Sequence, residues 1–122
     1  MVVADDDAGI RTLVALHLRG LGCDVLQARD GEEAVRMSLE HQPDLLVVDV
    51  RMPGLSGYEV TRELRRRLDA RVPVLLISGT VLSRLMAKGI EAGADAFLKK
   101  PFSGSELVER VRGLLAPAAN GS

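Results

Sequence analysis

The sequence predicts an α/β protein in which a parallel sheet is covered by helices on both faces. Three observations carry that prediction. Short apolar runs alternate with amphipathic stretches along the whole chain, the sequence form of repeated βα units. Two of those runs, residues 45–48 and 74–77, are apolar without alternation, as strands buried on both sides are. Polar residues close the runs, with Asp5 and Asp6 after the first, Asp49 after the third, Ser78 after the fourth and Lys100 after the fifth.

The first strand is Val2-Val3-Ala4, cut off by Asp5-Asp6-Asp7. Ile10, Leu13, Val14, Leu18 and Leu21 then fall on one helical stripe, with Asp7 as its cap and Gly20 and Gly22 as its stop. A second short strand covers residues 23–28. Asp30 caps a helix whose apolar face is Ala34, Val35 and Leu39, ended by His41-Gln42-Pro43. The third strand runs into Asp49, and the loop MPGLSG after it carries two turn signals. A helix over residues 58–68 shows Val60, Leu64 and Leu68 at i, i+4 and i+8. Beyond the fourth strand, Leu82, Leu85, Met86 and Ile90 mark a fourth helix, closed near Gly93. Ala96-Phe97-Leu98 is the fifth strand. Ser103 and Glu106, in capping-box spacing, open a last helix carrying Leu107, Val108, Val111, Leu114 and Leu115. Residues 1–116 read as one domain and residues 117–122 as a disordered tail.

Composition narrows the function. The 122 residues carry 16 Lys and Arg against 17 Asp and Glu, a net charge of −1, so no basic surplus points to direct nucleic-acid binding. The chain is 47% hydrophobic but only 2% aromatic, which leaves the core to Leu, Val, Ile and Ala. Cys23 is the single cysteine; no intramolecular disulfide is possible, which fits a reducing, cytoplasmic setting. No apolar run approaches the length of a membrane span, so no membrane role is expected.

In open parallel sheets ligands bind at the carboxyl ends of the strands, where strand order reverses. If the first and third strands are neighbours at that point, Asp5, Asp6 and Asp49 converge on one crevice. Three carboxylates that close repel one another, and a hard divalent cation such as Mg²⁺ relieves them. No Cys/His cluster suggests zinc. Beside such a cation one carboxylate can attack phosphorus as a nucleophile, with Lys100 and Ser78 placed to hold the transferred group.

The segments VVADDD, LLVVDVRMPGLSGYE, VPVLLISG and GADAFLKKPF, in this order and spacing, resemble the receiver domain of two-component response regulators over nearly the whole chain. The resemblance implies a flavodoxin-like (βα)₅ three-layer sandwich with strand order 2-1-3-4-5. It implies Asp49 as phosphoacceptor, Asp6 as direct and Asp5 as largely water-mediated Mg²⁺ ligand, and the main-chain carbonyl of Arg51 as a further ligand. Ser78 matches the family's hydroxyl residue and Lys100 the lysine of its K-P-F motif, with the Lys100–Pro101 bond cis. Phe97 stands at the switch aromatic, without the hydroxyl of the commoner Tyr. The implied partners are a histidine kinase or histidine phosphotransfer protein as donor, and a second copy or another protein on the face of the fourth helix, fifth strand and fifth helix. Such a domain is no enzyme beyond its own phosphorylation and dephosphorylation. It is either a stand-alone receiver or a fragment of a longer regulator or hybrid kinase.

Plainer readings stand beside these. Asp7 is a helix cap, His17 and His41 are structural, Cys23 is a small buried residue, and Arg65-Arg66-Arg67 is a solvated helix end. Of the two adjacent lysines, alternation sends one into the site, and the Pro-Phe after it favours Lys100 over Lys99. Two other functions compete. One is a constitutive interaction module with a relic pocket. The other is a Mg²⁺-dependent phosphohydrolase, which usually has a second Asp two residues past its nucleophile, where Arg51 stands.

Overall fold

The computed structural model describes residues 1–67 and 72–115. Strands and helices alternate along it: β1 (Val2–Ala4), α1 (Ala8–Arg19), β2 (Leu26–Ala28), α2 (Gly31–His41), β3 (Leu46–Asp49), α3 (Gly57–Arg67), β4 (Val74–Ser78), α4 (Leu82–Ala92), β5 (Ala96–Lys99) and α5 (Gly104–Leu115). The strands form one parallel sheet in the order β2-β1-β3-β4-β5, the flavodoxin-like arrangement. Leu68 and the tail, residues 117–122, lie outside the described residues.

Alternation along the central strands divides the core in two. Val2, Ala4, Leu46, Val48, Val74 and Leu76 pack on one face against Ala34, Val35, Val60, Leu64 and Leu85 of α2, α3 and α4. Val3, Val47, Leu75 and Ile77 pack on the other against Val14, Leu18, Leu107 and Val111 of α1 and α5. With both faces covered, every residue of β1, β3 and β4 is buried, while the edge strands β2 and β5 are partly exposed. Among the described residues no helix is long and apolar enough to cross a membrane.

The helix starts follow local chemistry. Asp7 Oδ1 accepts the N–H groups of Gly9 and Ile10 at 2.9 and 3.1 Å, and Asp30 Oδ1 accepts that of Glu33 at 2.8 Å. Ser103 and Glu106 close a capping box at 3.1 Å in each direction. Ser56 and Glu59 form a second box at 3.0 and 3.2 Å, which opens α3 at Gly57 rather than at residue 58. At α4 the cap position, Val81, offers no side-chain acceptor.

Several expectations need correction. The second strand is three residues long instead of six, because β1 offers only Val2, Val3 and Ala4 as partners for Leu26, Gln27 and Ala28. On α1, Leu13 points out of the apolar stripe and is 48% exposed. Cys23 is half-buried instead of buried. Arg65 is not a solvated helix end: its guanidinium donates to the carbonyls of Gly93 and Val72 at 2.9 and 2.7 Å and to Asp95 Oδ2 at 2.8 Å. Arg66 and Arg67 do lie in solvent, each paired with Glu63.

The fourth helix is inverted relative to its apolar spacing. Leu85 is buried, but Leu82, Met86 and Ile90 are exposed. The face laid on the sheet is completed by Gly89 and Ala92. Gly89 is small for a reason: a Cβ there would sit 2.2 Å from Phe97 Cε1 and 2.9 Å from Leu76 Cδ1.

Candidate functional site: an acidic pocket at the strand ends

Register assembles the site. Ala4 pairs with Val48, so Asp5 and Asp49 leave neighbouring strands side by side. Asp49 in turn pairs with Ile77, which places Ser78 one step beyond, and Ser78 pairs with Lys99 at the end of β5. The following residue, Lys100, is tied to Ser78 by a main-chain bond, N–H to carbonyl, of 2.8 Å. The Lys100–Pro101 peptide bond is cis.

Carboxylate oxygens of Asp5, Asp6 and Asp49 all lie within 4.8 Å of one another. Asp5 and Asp49 are 3% and 5% exposed, whereas Asp6 opens to solvent. The Lys100 ammonium reaches between them, 2.8 Å from Asp49 Oδ1 and 3.3 Å from Asp5 Oδ2. Lys99 is exposed. Asp49 Oδ2 accepts the Arg51 N–H at 3.1 Å, so the main chain at Arg51 borders the pocket. Ser78, 2% exposed, accepts the Thr80 N–H on its Oγ at 3.0 Å, which leaves its hydroxyl proton for another acceptor. Phe97 lies a strand-length back on β5, paired with Leu76 and packed against the core under Gly89.

The charges are out of balance. Burial pushes the Asp5 and Asp49 carboxyls above the usual value of 3.8, and the Asp7 and Arg51 N–H groups and Lys100 only partly offset it. Burial also pulls on the Lys100 ammonium, but Asp49 and Asp5 together outweigh it and raise it above 10.5. One ammonium faces three carboxylates. The donor set is oxygen only, without His or Cys, and it is short of positive charge. That suits a hard divalent cation such as Mg²⁺, not zinc.

Several supporting residues carry no signal in sequence spacing. Arg11 donates to the Asp5 carbonyl at 2.8 Å and to Gln27 Oε1 at 3.2 Å, fixing the turn after β1. The Asp7 N–H donates to Asp5 Oδ1 at 2.9 Å. Gly57 was legible only as a turn residue, yet a Cβ there would lie 2.6 Å from the Asp49 carbonyl oxygen. Its absence lets α3 start directly behind the pocket.

The response regulator receiver domain family matches residues 1–112. The chain belongs to that family. The receiver is 43% identical over 98% of its length to a protein named as a transcriptional regulator, ycf27 of Cyanophora paradoxa, and 37% identical over 94% to the DNA-binding response regulator MtrA of Mycobacterium leprae. It spans about half the length of these curated relatives, 49% and 50%. Among solved structures it resembles the receiver domain of the Francisella response regulator 1452, with a TM-score of 0.86 at 33% identity, each chain covered to 93%. It also resembles the chemotaxis response regulator CheY4 of Vibrio cholerae, with a TM-score of 0.88 at 28% identity, covering 93% of this chain and 96% of that one.

Proposed function

We propose that this receiver takes a phosphoryl group from the phosphohistidine of a histidine kinase or histidine phosphotransfer protein onto Asp49. The observation that carries the reading is the Asp49 carboxylate itself, buried, 2.8 Å from the Lys100 ammonium and clustered with Asp5 and Asp6. In the transfer the donor's P–N bond breaks and its electron pair returns to the imidazole. A bond forms from an Asp49 oxygen to phosphorus, giving an acyl phosphate. Lys100 neutralises one phosphoryl oxygen and the Ser78 hydroxyl donates to another. Asp5, Asp6, Asp49 and the Arg51 carbonyl would hold Mg²⁺, which neutralises the remaining charge on carboxylates and phosphoryl oxygens. The domain acts on no substrate but itself and works in the cytoplasm.

The surface supports a donor and an output on different sides. An apolar depression of about 420 Å³ lined by Ile10, Leu13, Pro101 and Phe102 shares Lys100 with the pocket rim, where a donor must dock to reach Asp49. Once Asp49 is modified, Ser78 draws toward the phosphoryl group and Phe97 moves into the space released, altering the face of α4, β5 and α5. The exposed Leu82, Met86 and Ile90 on α4 are what a second copy or a protein partner covers there. Direct contact with nucleic acid we assign to the portion of the longer relatives that this chain does not span.

Incubation with Mg²⁺ and acetyl phosphate or beryllofluoride tests the reading. A single modification, lost in Asp49→Asn and accompanied by a change in association state, is expected. Absence of modification would leave a constitutive binding module, and steady turnover of added phosphate esters would make the protein a hydrolase.

A further inference from the structure

Between the loop after β3 and the outer side of α4 lies a cleft of about 470 Å³. A smaller depression of about 220 Å³ adjoins it, sharing Arg51, Gly79 and Thr80. Three cations line the cleft, Arg51 from the loop and Arg84 and Lys88 from α4, and no carboxylate does. All three are exposed, and among the described residues none stands in an ion pair. Five other exposed cations are paired with a carboxylate, while Arg19, Lys99, Arg110 and Arg112 are exposed without an ion pair among the described residues. Arg29 and Arg36 meet Glu33, Arg66 and Arg67 meet Glu63, and Glu91, the acidic residue of α4, is turned to Arg62.

Arg84 and Lys88 stand one helical turn apart, a spacing at which like charges repel and weaken the helix unless something anionic lies between them. Lys88 Nζ is held 5.9 Å from the centroid of the Tyr58 ring, which brings the phenol to the same wall. The first turn of α4 contains no acidic residue, so the positive end of its dipole adds to the field of the side chains.

We propose that this cleft binds a small organic phosphate carrying two or more negative charges. Arginine forks match phosphoryl oxygens two at a time, and Arg51 and Arg84 supply two forks from different elements. The volume is that of a small-molecule site. An apolar ligand or an amphipathic helix finds little to bury there. Arg51 follows Asp49 by two residues and its N–H already bonds Asp49 Oδ2 at 3.1 Å. A ligand anchored on its side chain therefore lies next to the acidic pocket while using none of the carboxylates.

The test is titration of the full chain with inorganic pyrophosphate in Mg²⁺-free, low-salt buffer, followed by calorimetry and by amide NMR shifts. Omitting Mg²⁺ keeps the probe out of the acidic pocket, whose carboxylates repel it. Saturable one-site binding is expected, with shifts at residues 51, 58 and 79–88, weakened by raising salt to about 150 mM. Arg84→Gln with Lys88→Gln should lower the affinity by about tenfold or more. Arg36→Gln with Arg66→Gln removes the same charge elsewhere and should leave it unchanged, with circular dichroism confirming that both variants are folded. Failure to saturate, equal losses in the two double variants, or shifts confined to residues 5, 6 and 49 would overturn the proposal. So would binding of a poly-glutamate peptide at these residues without binding of pyrophosphate, which would assign the cleft to a protein partner.

Discussion

Substituting Gly89 by Ala measures how tightly Phe97 is seated under α4. A glycine inside a helix costs about 0.5–1 kcal/mol relative to Ala, so in open space the substitution stabilises. Gly113 in α5 supplies that reference, since a Cβ there meets nothing within 4 Å. At Gly89 the new Cβ would lie 2.2 and 3.0 Å from Phe97 Cε1 and Cδ1 and 2.9 Å from Leu76 Cδ1. Overpacking of this kind costs about 1–3 kcal/mol, or the ring leaves its seat and forfeits part of its burial. The net expectation for Gly89→Ala is a loss of about 1–2 kcal/mol, against a gain of up to about 1 kcal/mol for Gly113→Ala. In a Phe97→Ala background only the flexible tip of Leu76 remains, and Gly89→Ala should turn neutral or stabilising. Urea unfolding of the four proteins of the cycle, followed by circular dichroism, gives a coupling of about 2 kcal/mol. If Gly89→Ala stabilises the Phe97 protein as much as Gly113→Ala does, or the coupling is below about 0.5 kcal/mol, the seat has no energetic weight.

Four further outcomes follow from the contacts. Asp49→Asn should raise the stability of the Mg²⁺-free protein by roughly 1 kcal/mol, because it removes a buried charge that one lysine shares among three carboxylates; a lower melting temperature would contradict the crowded-charge picture. Because the folded Asp5 and Asp49 carboxyls sit above 3.8, their contribution is fully present below that pH and is lost as pH rises through their folded values. The wild type minus Asp49→Asn difference in urea midpoint should therefore fall from pH 4 toward pH 7, and millimolar Mg²⁺ should reverse the fall. Arg65→Ala should cost about 2–3 kcal/mol by taking the guanidinium donors from the carbonyls of Gly93 and Val72 and from Asp95, which keeps the Val74 N–H, with Arg65→Lys recovering only part, since an ammonium lacks the fork. Gly57→Ala should slow acetyl phosphate labelling of Asp49 more than it lowers the melting temperature, because the added Cβ displaces the Asp49 main chain first.

The pocket was legible in the sequence because strand ends are. A run of buried residues must stop somewhere, and the residue at which it stops is fixed by chain continuity, so Asp5, Asp49, Ser78 and Lys100 could be placed at one rim before any contact was known. The supports of that rim were not legible, since Arg11 on the Asp5 carbonyl and Gly57 behind Asp49 depend on where two segments pass each other. Periodicity failed differently on α4. It reports which residues share a helix face, not whether that face is turned inward, and a helix that rests on Leu85, Gly89 and Ala92 leaves its larger side chains outside. Arg65 was hidden for a related reason, because a triple arginine looks the same whether or not a carboxylate from another loop comes to meet it.

That outward stripe bears on how a charge at the rim is felt at the surface. Asp49 is in register with Ile77, the residue before Ser78; Leu76 is in register with Phe97; and Phe97 lies against Gly89, from which Met86 and Ile90 extend into solvent on the same helix. The links are register pairs or contacts except the step from Ile77 to Leu76, which is main chain only because their side chains pack on opposite faces of the sheet. The whole path spans three strands and one helix. Contiguity by itself is not coupling, which needs an element with two arrangements that both ends bias. The ring of Phe97 is the one side chain on the path that is only partly buried and therefore has somewhere else to go. If positions 89 and 97 prove energetically independent, the path is mere adjacency, and the signal proposed for Asp49 would have to leave the domain by another face.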